Sequence, residues 1–150
     1  MQYQDYHTHP VNKIIHFFCI PMIVLTSVNF LSKSNLSFLG MGIYSIALIT
    51  LLSYYLYYYG LSTFILMFIY YTFIDYYSEL WTKRRYWFIE SMIVFISSWI
   101  LQFIGHYIEG SRPALMDSLT TAVTQAPLFS IMYLFETIGY IVNFLINLLV

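Results

Sequence analysis

Charge is what this chain has least of. Of its 150 residues, 9% are Asp, Glu, Lys or Arg, and the net charge is −1. A water-facing domain carries about 25% charged residues, so the chain cannot cover a soluble surface. Six basic residues against seven acidic ones also exclude a phosphate-tracking groove, and with it nucleic acid as a partner. Cysteine is nearly absent. Cys19 stands alone, which excludes a disulfide framework and a cysteine-based zinc site; its apolar surroundings predict a packed thiol. No Gly-rich phosphate loop, nucleophile elbow or Cys-x-x-Cys pair occurs. The first apolar stretch starts only near Ile14, contains Pro21 and closes without a small-residue cleavage pattern. It reads as a retained span and not as a signal peptide.

What is present is apolar and aromatic: 60% hydrophobic residues, with 16 Tyr and 13 Phe. A bilayer core of roughly 30 Å needs about 20 apolar residues per helix. On that measure the expected spans are 14–31, 37–57, 60–76, 87–105 and 128–149. Ser32 to Asn35 is a polar turn, and Gly60 after the tyrosine run splits the long apolar block 36–74. Tyrosines near Tyr57 and Tyr76 suit membrane interfaces. Asp75, Glu79 and Lys83-Arg84-Arg85 form the one strongly charged loop, where the acids are expected to pair with the bases. Pro127 is expected to open the last span. The predicted fold is therefore all-α: a polytopic transmembrane helical bundle of about five spans, with an interfacial polar segment at 106–125 after the fourth. Residues 1–150 form one integral-membrane domain in this reading.

Polar residues cluster at two places. Gln102, His106 and Glu109 follow helical spacing and share one stripe at the end of an apolar segment. Ionisable groups at such a depth are costly unless they bind something. Two histidines and a carboxylate form the usual cage for a non-heme Fe(II) that activates O₂; the plainer reading is a helix end satisfied by water or headgroups. The second place is HTHPVNKIIH. Asn12 and His16 share a helical face, whereas His9 lies about 10 Å from His16 along a helix axis. His7 precedes Pro10 and can fold back toward His16. Arg112 suits a bidentate contact with a substrate carboxylate, a lipid phosphate or Asp117. Glu136 is a charge inside the last apolar stretch, expected to lie buried against Arg112 or beside the site.

For the two clusters to meet, an even number of crossings must separate them. Four spans satisfy this, and merging 36–74 into one span does not. Lys33 and Lys83-Arg84-Arg85 fall on the opposite face, which the positive-inside bias places in the cytoplasm.

The set Tyr6-His7, Pro10, Asn12, His16 and Pro21 is similar to the start of the Mpo-like family. So are Trp99, Gln102-Phe103, Gly105-His106, Glu109, Arg112-Pro113-Ala114-Leu115, Asp117, Ala126-Pro127 and Phe129. That family includes an endoplasmic-reticulum 2-hydroxy fatty acid dioxygenase. The resemblance implies an Fe(II)-dependent enzyme that uses O₂ to shorten 2-hydroxy fatty acids by one carbon, in α-oxidation. It implies an integral membrane location, the endoplasmic reticulum in a eukaryote or the inner membrane in a bacterium, with membrane lipids as neighbours. His7, His16 and His106 would then bind the metal, with Glu109 as ligand or base and Arg112 toward the substrate. Asn12, Gln102, His9 and Asp117 would orient ligands or meet substrate. His9 stands where the family usually has Asn, and Glu136 comes about one turn later than the family's glutamate. The inventory of histidine and carboxylate also suits a zinc-dependent membrane hydrolase, or a non-catalytic lipid- or metal-binding membrane protein.

Overall fold

The computed structural model describes residues 8–149. Helix α1 (Pro10–Ser32) begins with a proline, whose missing N–H costs nothing in the first turn. The first helical bond runs from the Lys13 amide to the His9 carbonyl, 3.1 Å. The helix runs through Pro21 and ends in the polar SKSN turn, where the Ser34 amide and hydroxyl both donate to the Leu31 carbonyl, at 3.3 and 2.8 Å.

Two short antiparallel strands follow, β1 (Ser37–Phe38) and β2 (Met41–Gly42). They turn over Leu39 and Gly40, both at positive φ (51° and 77°), the backbone that a two-residue hairpin turn requires. The span expected from residue 37 therefore starts later, as helix α2 (Ile43–Tyr59). It stops at Gly60, in a backbone conformation (φ 84°) that favours glycine. Helix α3 (Leu61–Thr82) follows. After it come α4 (Trp87–Glu109), the short α5 (Ala114–Asp117) and α6 (Leu119–Leu149).

The last helix differs from expectation. It starts at Leu119 and not near 128, and Pro127 lies inside it. The Ser118 hydroxyl accepts the Thr121 amide at 3.2 Å, so a side-chain cap opens the helix in the polar segment. Residues 106–125 are thus mostly continuations of α4 and α6, joined by the turn that carries α5.

The architecture is all-helical apart from the small hairpin. Three helices are long and apolar enough to cross a membrane: α1, α4 and residues 119–147 of α6. Helix α2 is apolar but has 17 residues, roughly 26 Å at 1.5 Å per residue. Helices α2 and α3 pack as a hairpin, in which the Tyr44 hydroxyl donates to Asp75.

The chain divides into two compact units, Met22–Ser97 and Met1–Pro21 with Ser98–Val150. In the first, Leu25, Val28 and Ile74 form a buried cluster flanked by Tyr44, Tyr70 and Trp81. Asn29 donates to the Ser91 hydroxyl at 2.9 Å, and both are fully buried. Glu79 pairs with Lys83 at 2.9 Å and Arg84 with Glu90 at 3.1 Å. The hydrogen bond and charge of Lys83 hold the Glu79 carboxyl below the usual carboxylate range. Asp75 does not join these pairs as expected, because Tyr44 on α2 reaches it first. In the second unit, Cys19, Ile20, Leu128, Phe129 and Ile131 are buried, and Cys19 is the packed thiol its surroundings predicted.

Candidate functional site

The site grows from the two ends of chain that meet in the second unit, the start of α1 and the end of α4. Helix α4 runs unbroken past Gln102, His106 and Glu109, so the expected stripe exists. Gln102 and His106 are buried and Glu109 is half-buried. Gly110 then turns left-handed (φ 74°), and the amides of Gly110 and Ser111 fold back onto the His106 carbonyl at 2.9 and 3.2 Å. This is a glycine-ended helix terminus, and it places the Ser111 hydroxyl 3.3 Å from both His106 Nδ1 and Glu109 Oε2.

Glu109 collects the donors of the other strand of chain. Its Oε1 accepts the Thr8 amide, the Thr8 hydroxyl at 2.8 Å and the His9 amide at 2.8 Å. Its Oε2 accepts the Asn12 side-chain amide as well as Ser111. An ionised carboxylate only accepts, with about four lone-pair sites, and this donor set fills them. The first amides of a helix lack partners within it and carry the positive end of its dipole. Glu109 caps α1 across a hundred residues of sequence.

Asn12 is fully buried and holds three things at once. Its side-chain amide donates to Glu109, and its backbone carbonyl accepts His16 Nδ1 at 3.0 Å. Its Oδ1 is buried with no hydrogen-bond partner and rests against Gly105, where an added Cβ would lie 2.3 Å from it. Gly105 therefore allows α4 to approach α1 closely enough for the histidines to meet.

The rings of His16 and His106 stand edge to face, centroids 4.8 Å apart, and both are buried. A carbonyl can only accept, so His16 Nδ1 carries the proton and Nε2 carries the ring's lone pair. That is the tautomer of a histidine ligand oriented by a backbone carbonyl. Among the described residues no group of three or more His, Cys, Asp or Glu is arranged to hold a metal. The donor chemistry suits one in part: two imidazoles in contact, and an unsatisfied amide oxygen within the same seam.

Of the residues singled out in the sequence, the structure brings together Asn12, His16, His106 and Glu109, with His9 contributing its backbone amide; Gln102 is buried on α4 one turn before His106. The His9 ring turns to its own helix, Nδ1 lying 3.2 Å from the Val11 amide. Arg112 is exposed and makes no ion pair among the described residues. Glu136 is exposed on α6 and is not buried against Arg112, because the helix that carries it projects its second half away from packing. His7 and the side chain of Asp117 lie outside the described residues. Thr8 and Ser111 escaped the sequence reading. Their only signal there was position: one precedes a helix-starting His-Pro, the other follows a glycine after a helix.

A family model described as "2-hydroxy-palmitic acid dioxygenase Mpo1-like" matches residues 1–138. The chain belongs to the Mpo1-like family. The match covers both ends of the polar seam. No curated protein and no solved structure matches the chain.

Proposed function

We propose that this Mpo1-like protein is an Fe(II)-dependent dioxygenase that shortens 2-hydroxy fatty acids by one carbon at a membrane interface, with α2 and α3 completing a five-span bundle. The observation that carries the reading is the buried contact of His16 with His106, at a polar end of otherwise apolar helices, in a chain of this family. His16 and His106 would hold the metal, with His7 as the third imidazole. Bound iron would supply the activation of O₂ that a singlet organic substrate cannot provide for itself.

The chain's own residues do the rest. The Asn12 carbonyl fixes the His16 tautomer, and Ser111 steadies His106. Glu109 keeps the start of α1 against the end of α4, which makes it the holder of the site more than a ligand. Arg112, exposed beside the seam in sequence, is the group suited to receive the substrate carboxylate from the interface. The acyl tail lies along the aromatic helices. The reaction balances as a 2-hydroxy acid plus O₂ giving the acid one carbon shorter, CO₂ and water. The C1–C2 bond breaks, C2 becomes the new carboxyl carbon and O₂ takes up four electrons.

The test is metal content and O₂ uptake of the purified protein with Fe(II) and 2-hydroxypalmitate. One iron per chain with substrate-dependent O₂ uptake and a one-carbon-shorter acid supports the reading. Zinc with hydrolysis and no O₂ uptake would replace it with a hydrolase, and neither metal nor turnover would leave a lipid-binding protein.

A further inference from the structure

Helix α6 is built in two halves. Its first half buries Leu128, Phe129 and Ile131. From Leu134 to Asn147 every residue is exposed, although the helix continues and the segment belongs to a stretch apolar and long enough to cross a membrane. Most of these residues suit lipid. Four do not: Glu136, Tyr140, Asn143 and Asn147. None of the four makes a hydrogen bond or ion pair among the described residues.

Their spacing is four, three and four. At 100° per residue they fall within about 60° of arc, over about 17 Å of helix. Gly139 flanks the same stripe, and a Cβ there would meet nothing within 4 Å. Phe135, Ile138, Ile141, Val142 and Leu145 occupy the rest of the circumference. A polar stripe at a 3.5-residue repeat is a helix-pairing seam. In hydrocarbon such groups need partners, and side-chain amides and carboxyls across a helix pair supply them.

We propose that this stripe is the interface of a parallel homodimer, in which α6 of one copy pairs with α6 of a second. Copies of one chain insert in the same orientation, so the stripes of two molecules lie at the same depth. An Asn side chain both donates and accepts, so Asn143 can pair with Asn143 of the second copy, and Asn147 with Asn147. The missing Cβ at Gly139 lets the two backbones approach. The family match ends at residue 138, so Tyr140, Asn143 and Asn147 lie beyond the part of the chain that it covers. The proposal does not depend on the dioxygenase reading.

The experiment uses the full chain in liposomes at low protein-to-lipid ratio, with Cys19→Ala to remove the native thiol. Asn143→Cys should give an oxidised dimer, and Leu145→Cys, on the opposite side of the helix, should not. Single-molecule photobleaching should show two-step traces for the parent protein. The triple variant Glu136→Leu, Asn143→Leu, Asn147→Leu stays compatible with a membrane span and should weaken dimerisation about tenfold or more. Equal cross-linking at 143 and 145, single-step traces for the parent, or dimers that survive the triple variant would each overturn the proposal. Retention of the dioxygenase turnover by a monomeric triple variant would leave the dimer proposal intact.

Discussion

Helices α1 and α4 bring polar side chains together in two places, and the two differ in kind. In the unit of residues 22–97, Asn29 meets Ser91 in one neutral hydrogen bond of 2.9 Å. In the other unit, His16, His106, Asn12 and Glu109 form a connected set that also draws in Thr8, His9 and Ser111. A single amide–hydroxyl contact is what membrane helices use to hold each other, and it is worth about 0.6 kcal/mol. The second set is built differently. It includes an anion at a helix N-terminus and two imidazoles in contact, the His16 ring oriented by a backbone carbonyl, which packing alone does not require. Polarity inside apolar helices therefore marks a site only where ionisable groups are oriented by further groups.

The sharpest way to break this comparison is His106→Ala. Activity should fall more than about 100-fold, beyond the 10–100-fold typical of residues that merely orient a metal ligand, and bound iron should be lost. Retained activity with normal iron would place the chemistry elsewhere.

Gly105→Ala comes next. A Cβ would sit 2.3 Å from Asn12 Oδ1, so either the Asn12 side chain leaves its place beside Glu109 or the helices separate. Overpacking of this kind costs about 1–3 kcal/mol. Thermal unfolding in detergent should shift downward and turnover should fall with it; an unchanged melting curve would show that the approach is not needed.

Glu109→Gln should have an intermediate effect. The substituted NH₂ faces other donors, either the amides of Thr8 and His9 or the side chain of Asn12. Loss of the α1 cap should cost about 1–2 kcal/mol. Iron affinity should drop roughly 10-fold, by misplacing His16 more than by removing a ligand. Complete loss of iron would instead make Glu109 a ligand.

The smallest change is Ser91→Ala. It removes one neutral contact and should lower stability by about 1 kcal/mol, with iron content and turnover unaltered. A large loss of activity here would erase the distinction between the two places.

Much of the site was legible because it lies on helices of regular period. Gln102, His106 and Glu109 share a stripe in the sequence for the same reason that they do in the structure, and the Asn12–His16 spacing behaves likewise. What spacing could not supply was direction across chain segments. Nothing local says that Glu109 turns its oxygens to the amides of Thr8 and His9, or that Asn12 rests on Gly105. The later start of α6 was hidden because Pro127 resembles a helix opener, while the true cap is the Ser118 hydroxyl nine residues earlier. Asp75 looked like a partner for nearby basic residues, and only the α2–α3 pairing shows that Tyr44 takes it.

The central claim is that His16 and His106 together hold one metal. Fe(II) titration of metal-stripped protein tests it most directly, comparing the parent with His16→Ala and with Ser91→Ala. The account predicts one iron per chain for the parent and for Ser91→Ala, and loss of that binding in His16→Ala. Equal iron binding by the parent and His16→Ala would contradict it.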